Sequence, residues 1–595
     1  MRKIQKVFIE IILFIVIAGL IASIGLGIQG ATVASGASER TTSMTSMTSE
    51  DQKAIEAKIL EDWGTPTELK ILRSIKETQM NNDLSQATDG NLWYYLTQDI
   101  DAELTTILTL NQTNPMHVRI LLNGYSISGN FKIQTNNAAV TLSIFDKIPD
   151  KIGTGYNYNP LPIKYYKYNV QQNEYTDYTI TRPRDMTDVS SMPTWKENTY
   201  IKVTGSAISP NEKINNTSVQ SLIAAQNGTI NIYGTNFVGC TADSSLISAS
   251  NGNVNLYQSI LIGNKSKDGS GVIKIGSAIT TLKDCNVYGN QSEAVDYGIQ
   301  PSGTDIPEEE WDIVLTNGNS TINMYKSNVG AIADANYTKA IYIKDVDFGQ
   351  QEASVKSDNI TTFFESFNDV FGTIELVYNG TVTYTGNSSN LNFIVHGGDK
   401  NTVPKRGSNS LTIAEGATVG SVSTAFETAE DGTLKISDVT INGTVLGLST
   451  PGNAKIGANA NATIKARQNV ANLTNQGNLN VFGTVSNLET TGTLSINSTA
   501  TIENLTLNDG YVLIYKSANV KNVNLNNGTL EIADNANVDT ITKSDVARLI
   551  DHRGTFKTFI IWASAIFGGV VVIALIVLLI IFIVKRKKDK CAKSY

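Results

Sequence analysis

Three copies of one short pattern decide the fold: Gly492-Thr-Leu-Ser-Ile496, Gly510-Tyr-Val-Leu-Ile514 and Gly528-Thr-Leu-Glu-Ile532. The three copies are equally spaced along the chain, as the numbers of their glycines show. Each is a turn glycine followed by two apolar residues at spacing two, which is the side-chain period of a β-strand. Strands that recur at a period of about 20 residues are typical of a solenoid, whose coils bury their apolar sides by stacking. The sequence therefore predicts an all-β solenoid.

A wider version of the pattern recurs in the middle of the chain. Its copies share a strand with alternating apolar residues, and they are Gly228–Tyr233, Gly252–Tyr257, Ala278–Lys283 and Ser320–Tyr325. The first three copies follow one another at nearly equal intervals, whereas a much longer interval precedes the fourth. We therefore expect coils of about 25 residues here, with an insertion before the fourth copy.

Two pairs of polar or thiol side chains test this register. Asn264 and Asn290 each follow a glycine at the same repeat position, so we expect them to form a hydrogen-bonded ladder between coils. Cys240 and Cys285 occupy different repeat positions. They should not face each other, and we expect two small core fillers without a disulfide.

Repeat spacing divides the chain into segments. We predict a signal peptide or signal anchor at 1–36, a linker and helical cap at 37–89, wide coils at 90–405, short coils at 406–545, a transmembrane helix at 559–584 and a basic tail at 585–595. Further strands are expected at 340–343, 374–378 and 392–395, and short-coil strands at Leu411/Ile413, Leu434/Ile436 and Leu479/Val481. No Pro-rich linker separates the two sets of coils, so we expect one continuous rod.

Two short helices are expected before the first coil. Ser49-Glu-Asp-Gln52 resembles a capping box that opens a helix through about Trp63. Apolar residues at Leu69, Leu72 and Ile75 favour a second helix through about Thr78. Such helices commonly close the end of a solenoid, where they cover the first open strand edge.

Both ends of the chain have the character of membrane-directed segments. Phe559–Val584 is a long apolar run without a charge, and Lys585–Tyr595 is strongly basic. This predicts a single C-terminal transmembrane helix with a cytoplasmic tail and an extracellular body; a buried core helix is the alternative. The segment 1–36 has the basic, apolar and small-residue order of a signal peptide, with an uncleaved signal anchor as the alternative.

Near the start of the coils the chain resembles a known family. Gly90-Asn-Leu-Trp-Tyr-Tyr-Leu-Thr-Gln-Asp-Ile100 and Arg119-Ile-Leu-Leu-Asn-Gly-Tyr-Ser-Ile127 are similar to the first coils of pectate-lyase-like cell-surface proteins of Firmicutes. Many of these have His where this chain has Tyr125. The resemblance implies a right-handed parallel β-helix. The calcium-binding and catalytic pattern of the family does not map onto this sequence.

The repeat is interrupted by a tyrosine-rich excursion at 153–200 and by an acidic insertion at 296–312. The excursion holds seven closely spaced tyrosines, which we take as candidate ligand-binding residues for glycans or proteins: Tyr156, Tyr158, Tyr165, Tyr166, Tyr168, Tyr175 and Tyr178. The alternative is a loop that folds back and packs these tyrosines on the coils. The insertion includes Pro301, Pro307 and Glu308–Trp311, which favour a protruding loop.

Composition and spacing argue against several function classes. The net charge is −8 although the tail is basic, so the body is acidic and nucleic acid is not expected as a partner. A lyase or hydrolase needs clustered carboxylates or a placed base. The nearest candidates are Asp345 with Asp347, expected on one strand face, and Arg182, Arg184 and Asp185 in the excursion. The only three histidines are far apart in register. We therefore expect no catalytic, metal or cofactor site.

These observations favour a surface adhesin or display rod anchored in the cell membrane. Stacked coils would hold the tyrosine-rich and acidic excursions away from the membrane, where glycans or proteins bind them. A membrane-anchored polysaccharide lyase or hydrolase is the first alternative. A purely structural surface protein is the second. The regularity of the short coils favours a structural role for that part of the chain.

Overall fold

The computed structural model describes residues 47–148, 163–169, 174–180, 199–209, 222–292, 312–554 and 566–581, with short gaps inside several of these ranges. The predicted signal segment 1–36 and the basic tail 585–595 lie outside the described residues, as does the insertion 296–312 except for its last residue. The chain divides into two units, residues 1–43 and 44–595, and all of the described residues belong to the second unit.

The described chain is mainly β-strand, with two helices near its start. Helix α1 is Ser49–Trp63 and α2 is Glu77–Gln86. The first 28 strands are β1 Leu69–Ile71, β2 Asn91–Tyr95, β3 Ile100–Leu110, β4 Met116–Leu121, β5 Ile127–Thr135, β6 Val140–Phe145, β7 Ile163–Asn169, β8 Glu174–Ile180, β9 Thr199–Thr204, β10 Ala207–Ser209, β11 Ile223–Ala225, β12 Thr229–Tyr233, β13 Asn236–Val238, β14 Thr241–Ala242, β15 Ile247–Ala249, β16 Asn253–Tyr257, β17 Ile260–Ile262, β18 Lys265–Ser266, β19 Ile273–Ile275, β20 Ile279–Lys283, β21 Asn286–Val287, β22 Gln291–Ser292, β23 Ile313–Leu315, β24 Thr321–Tyr325, β25 Asn328–Val329, β26 Ala331–Asp334, β27 Ala340–Tyr342 and β28 Ala353–Lys356.

The remaining strands belong to the more C-terminal repeats. They are β29 Gly372–Tyr378, β30 Thr381–Tyr384, β31 Asn387–His396, β32 Ser410–Ile413, β33 Thr418–Ala425, β34 Glu427–Thr428, β35 Leu434–Lys435, β36 Asp438–Ile441, β37 Thr444–Val445, β38 Leu448–Ile456, β39 Asn461–Ile464, β40 Asn469–Asn475, β41 Asn478–Val481, β42 Thr484–Thr490, β43 Thr493–Ile496, β44 Thr501–Leu507, β45 Tyr511–Ile514, β46 Asn519–Leu525, β47 Thr529–Ile532, β48 Asn537–Lys543 and β49 Arg548–Asp551. The strands expected at 340–343, 374–378 and 392–395 are confirmed as β27, β29 and β31.

Strands of successive repeats pair in parallel and in the register that the sequence predicts. Thr229 pairs with Asn253, and Val254 pairs with Thr280, so each residue meets its equivalent in the next wide repeat. Ile279 pairs with Thr321 across the insertion. These strands belong to one sheet with the order β1-β2-β4-β6-β12-β16-β20-β24-β28, which we call the first sheet. Only its last pair, β24 with β28, is antiparallel among these strands.

The short repeats near the C-terminal end of the stack pair in the same way. In β43, β45 and β47, Thr493, Tyr511 and Thr529 are successive Cα partners. The longer strands β44, β46 and β48 stack in a second row with the same step. Both predicted repeat spacings are therefore confirmed, and the fold is all-β with long, mainly parallel sheets.

Close stacking explains the turn glycines of these repeats. Gly510 has a φ of +86°, and a Cβ added there would lie 2.3 Å from the carbonyl oxygen of Gly492 in the preceding repeat. A side chain is excluded by both the backbone conformation and the neighbouring backbone. Glycine is therefore required where one turn sits directly on the next.

One strand reverses the chain direction between the two sets of repeats. β27 pairs antiparallel with β26 on one side and antiparallel with β29 on the other. Parallel stacking then resumes, since Ile374 of β29 pairs with Phe393 of β31. The apolar interior continues across this reversal, because one cluster of buried hydrophobic residues extends from Leu72 to Ala547. Burial of each large aliphatic side chain contributes about 1.5–3 kcal/mol.

Helix α1 has the predicted range, but its N-terminal capping residue differs from the predicted one. Its N-cap is Thr48, whose hydroxyl accepts the Asp51 N–H at 3.1 Å while the Asp51 carboxylate accepts the Thr48 N–H. The capping box thus begins one residue before Ser49. The helix also does not close the end of the stack. Ile59 and Trp63 pack on Phe145 and Tyr233, which face outward from the first sheet.

The second predicted helix is wrong in its position. Leu69–Ile71 forms β1, which pairs in parallel with β2, and α2 begins later at Glu77. The spacing of the apolar residues fits a helix. The backbone N–H and C=O groups of this segment instead bond to the open edge of β2, which would otherwise lack partners. The capping role falls to α2, because its buried Met80 and Leu84 join the apolar interior at this end.

The strand predicted at Leu434/Ile436 is also misplaced. β35 pairs antiparallel with β34 in a separate two-stranded ribbon. The stacked strand of this repeat is β36, whose Val439 and Ile441 pair with Leu411 and Ile413. Both segments alternate apolar and polar residues, so periodicity does not distinguish the ribbon from the coil.

The predicted asparagine ladder and cysteine environments are confirmed. Asn264 Nδ2 donates to Asn290 Oδ1 at 3.0 Å, and both side chains are buried. Cys240 and Cys285 are buried, and neither forms a disulfide bond with a described residue. Burial raises the pKa of the Cys285 thiol to about 12.

The predicted membrane span falls largely outside the described residues. Within 559–584, residues 566 and 570–581 are described, and they are helical. In the part of the chain that the structure describes, no helix is both long enough and apolar enough to cross a membrane.

Candidate functional site

The tyrosine-rich excursion contains a three-stranded antiparallel sheet with the order β8-β7-β9. Tyr165 is the Cα partner of Tyr178, and Tyr168 is the partner of Tyr175. On its other side Tyr168 pairs with Tyr200. Three tyrosine positions thus form one row across the sheet. Tyr166 pairs with Asp177, and the predicted residues Tyr156 and Tyr158 lie outside the described ranges.

Sequence reasoning located this excursion but missed its strands and one tyrosine. The sheet ends at Thr204, beyond the predicted boundary at residue 200. Tyr200 is the added member of the tyrosine row. The sequence indicates this strand in Tyr200-Ile-Lys-Val203, where apolar and polar residues alternate as they do in a β-strand.

The stacked repeats continue directly across the excursion. β6 pairs in parallel with β12, with Thr141 opposite Thr229 and Phe145 opposite Tyr233. After the excursion, Ala207 of β10 pairs with Asn236 of β13. Residues 146–206 therefore occupy the place that Gly234-Thr235 occupies in the next repeat. The excursion is an insertion into a single tight turn.

The acidic pair proposed as a catalytic candidate does not share a strand face. Asp345 lies in a turn with a φ of +62° and exchanges hydrogen bonds with Asn328. Asp347 is buried in an isolated bridge with Phe371, and its carboxylate accepts the Gly349 N–H at 2.8 Å. Both carboxylates thus bind the local backbone or an amide side chain. Arg182, Arg184 and Asp185 lie outside the described residues.

Sequence reasoning missed a buried polar cluster between α1 and the first sheet. The Asp62 carboxylate accepts hydrogen bonds from Ser143 Oγ at 2.5 Å and from Asn231 Nδ2 at 3.2 Å. Its backbone carbonyl accepts one from Arg119 Nε at 2.5 Å. These partners come from β4, β6 and β12, which are consecutive in the first sheet. The cluster therefore fastens the C-terminal end of α1 to three repeats.

This cluster contains the residue types of a hydrolytic triad without its geometry. His117 Nε2 lies 2.8 Å from Ser143 Oγ and 3.7 Å from the Asp62 carboxylate. In a triad the carboxylate binds the other ring nitrogen. Ser143 is also fully buried. Burial, together with the charge of Arg119, lowers the pKa of His117 to about 4, so the ring is neutral at pH 7. The arrangement suits a structural clamp.

Metal-ligating side chains are dispersed in the described part of the chain. No group of three or more His, Cys, Asp and Glu side chains there is placed to hold an ion. The other two histidines each contact a glutamate: His396 Nε2 is 2.9 Å from Glu375, and His552 Nε2 is 3.3 Å from Glu531.

In comparisons with known proteins, no protein-family model, no curated protein and no solved structure matches this chain.

Proposed function

We propose that the protein is a membrane-anchored surface adhesin or display scaffold on a right-handed parallel β-helix, similar to pectate-lyase-like cell-surface proteins. The observation that carries this proposal is the replacement of a short turn by residues 146–206. The repeats pair without these residues. A large element that the stack does not need for its own pairing is best explained by a separate role in binding.

The composition of the excursion supports a role in ligand contact. Its sheet has a row of Tyr168, Tyr175 and Tyr200 and a second tyrosine pair. Tyrosine offers a large contact area and a polar hydroxyl at a low entropy cost, which is why it is common in binding surfaces. The proposed ligands are glycans or proteins outside the cell.

The proposed anchor is the uncharged segment 559–584 with its basic flank, and the proposed location is the cell surface. The tail contains Cys591, whereas Cys240 and Cys285 are buried. A membrane-impermeant thiol reagent should label Cys591 only after cells are permeabilised. A Thr542→Cys variant, exposed in the body, should be labelled on intact cells. Labelling of Cys591 on intact cells would contradict this topology.

The binding role is tested by restoring the short turn. In the variant, residues 146–206 are replaced by Gly-Thr, as found at Gly234-Thr235. Full-length protein and variant are compared on a glycan and protein array and in binding to cells. We expect an unchanged thermal unfolding midpoint, together with loss of binding to cells or to at least one glycan or protein that the unaltered protein binds.

Two outcomes would overturn the proposal. If the variant binds cells and every array ligand as the unaltered protein does, the excursion has no role in binding. Release of unsaturated or reducing ends from polygalacturonate by the intact protein, with calcium present, would instead identify a polysaccharide-degrading enzyme.

A further inference from the structure

The short repeats carry an unusual group of exposed aromatic side chains. Phe482, Tyr511 and Tyr515 are 39%, 37% and 42% exposed. Every other Phe, Tyr or Trp whose side-chain burial the structure describes is more covered. Solvent-exposed aromatic residues that cluster in one place commonly mark a binding surface. Phe482 directly follows β41, Tyr511 begins β45 and Tyr515 directly follows it, and β43 lies between these two strands.

The backbone register places the three residues on one face. Val512 and Ile514 are buried, so Tyr511, Leu513 and Tyr515 alternate outward. Phe482 N–H donates to the Ile464 carbonyl and Tyr515 N–H donates to the Ile496 carbonyl. Phe482 and Tyr515 therefore occupy equivalent positions in stacked strands. Asn497 occupies the equivalent position in the strand between them.

Strand geometry sets the spacing of these rings. Tyr511 and Tyr515 are four positions apart on an extended chain, which corresponds to about 13 Å between their Cα atoms. Phe482 and Tyr515 are two strands apart, or about 10 Å. The outward positions of the three strands form a grid, which we call the aromatic grid: Asn478, Asn480, Phe482, Thr493, Ser495, Asn497, Tyr511, Leu513 and Tyr515.

The aromatic grid contains no charged residue, although the protein is acidic overall. The nearest charged residues in the neighbouring repeats are Lys465, directly after β39, and Glu531 of β47, and the exposed Lys516 follows Tyr515 in the turn. Glu531 accepts a hydrogen bond from the Tyr511 hydroxyl at 2.6 Å. This bond holds the Tyr511 side chain in place. Since Tyr511 is still 37% exposed, part of the ordering cost of binding is removed beforehand.

We infer that the aromatic grid binds an uncharged polysaccharide. Sugar rings would stack on the faces of Tyr511, Tyr515 and Phe482, while amide and hydroxyl groups between them donate to and accept from sugar hydroxyls. The absence of cations from the grid disfavours acidic polymers and nucleic acid. The amide and hydroxyl side chains of Asn480, Ser495 and Asn497 make the centre of the grid more polar than the core of a protein interface. This site is independent of the tyrosine-rich excursion.

The inference is tested by sedimentation of full-length protein, purified in detergent, with microcrystalline cellulose, chitin or starch granules. Polygalacturonate gel serves as the anionic counter-probe. The variants are Tyr511→Ala/Tyr515→Ala and Phe482→Ala. The matched control is Leu446→Ala, which removes an apolar side chain of 39% exposure elsewhere on these repeats. Thermal unfolding confirms that each variant is folded.

We expect at least one uncharged polysaccharide to retain the protein and the double variant to bind at least tenfold more weakly. Leu446→Ala and the variant without residues 146–206 should bind as the unaltered protein does. The inference fails if none of the three solids binds, if polygalacturonate binds equally well, or if the double variant binds normally. Self-association of the unaltered protein that the double variant loses would assign this face to a contact between copies instead.

Discussion

The buried asparagine ladder gives a stability prediction that follows from individual contacts. Asn290 is fully buried, and its amide donates to the Leu261 carbonyl at 3.0 Å and to Asp312 Oδ1 at 2.6 Å. Its Oδ1 accepts the backbone N–H of Asn264 at 3.1 Å. Asn290→Ala removes these three bonds, and the bond from Asn264 Nδ2, in a place that water does not reach. The ladder should therefore be essential for local stability.

The magnitude can be worked out from these contacts. Removing the partner of a buried hydrogen-bonding group costs about 1–3 kcal/mol, so the Leu261 carbonyl and the Asn264 N–H together give about 2–6 kcal/mol. Asn504→Ala is the matched control. Its side chain also forms a ladder, with Asn487 and Asn522 at 2.9 Å each, but it is exposed. Water can replace these bonds, and the expected cost is below about 1 kcal/mol.

Hydrogen–deuterium exchange is the suitable assay, because long repeat arrays open locally and do not always unfold in one step. Amides of β17 and β19 should exchange at least about 30-fold faster in Asn290→Ala, since about 1.4 kcal/mol corresponds to a factor of ten. Amides of β42 and β44 should change little in Asn504→Ala. Equal effects of the two substitutions would show that burial does not determine how much a ladder bond contributes to stability.

Three further predictions concern single side chains. In the folded state His117 stays neutral down to about pH 4, whereas in the unfolded chain it is protonated near pH 6.5. Between these two pH values the unfolded state therefore binds more protons. The free energy of unfolding should fall as the pH drops from about 6.5 to 4. His117→Gln should flatten this decrease in urea unfolding curves, and an unaltered slope would contradict it. Gly510→Ala should destabilise the protein in thermal unfolding by about 1–3 kcal/mol more than Gly416→Ala does. Both glycines have a positive φ, but only Gly510 lies against a carbonyl oxygen of the neighbouring repeat. Cys285 should resist maleimide at pH 8 until urea is added, because its pKa is about 12; rapid native labelling would argue against its burial.

The stacking of the repeats could be predicted because its signals are local. A turn glycine and two apolar residues at spacing two define each strand, and the recurrence of Gly492, Gly510 and Gly528 defines the step. Strands that pair in the sheets come from successive repeats of the sequence, so a fixed step is enough to set the register. The same local reasoning placed Asn264 opposite Asn290.

The placement of α1 could not be predicted in this way. Asp62 bonds to Ser143 and Asn231, which are 81 and 169 residues away. No periodicity connects such positions. The position of β1 was decided by the open edge of β2, and the reversal at β27 by pairing with strands on both sides. These outcomes depend on tertiary contacts, which override local patterns.

The candidate binding residues were predicted only in part. Crowding of tyrosines revealed the excursion, but alternation alone did not show that Tyr168 has partners on both sides. In the short repeats the regular pattern favoured a structural role, and it concealed the exposure of Tyr511 and Tyr515. Outward positions are expected to be polar, so aromatic residues there are the signal that sequence reasoning passed over.

Continuity of the first sheet across the excursion is the claim on which the rest depends. Thr141 and Thr229 are Cα partners on adjacent parallel strands, about 4.8 Å apart. Cross-linking of a Thr141→Cys/Thr229→Cys variant with a bifunctional thiol reagent matched to that spacing tests this contact directly. Efficient cross-linking is expected in the folded protein. A Thr141→Cys/Asn253→Cys pair, two strands apart, should remain uncross-linked. Failure of the first pair to react, or equal reaction of the second pair, would show that β6 and β12 are not adjacent in the first sheet.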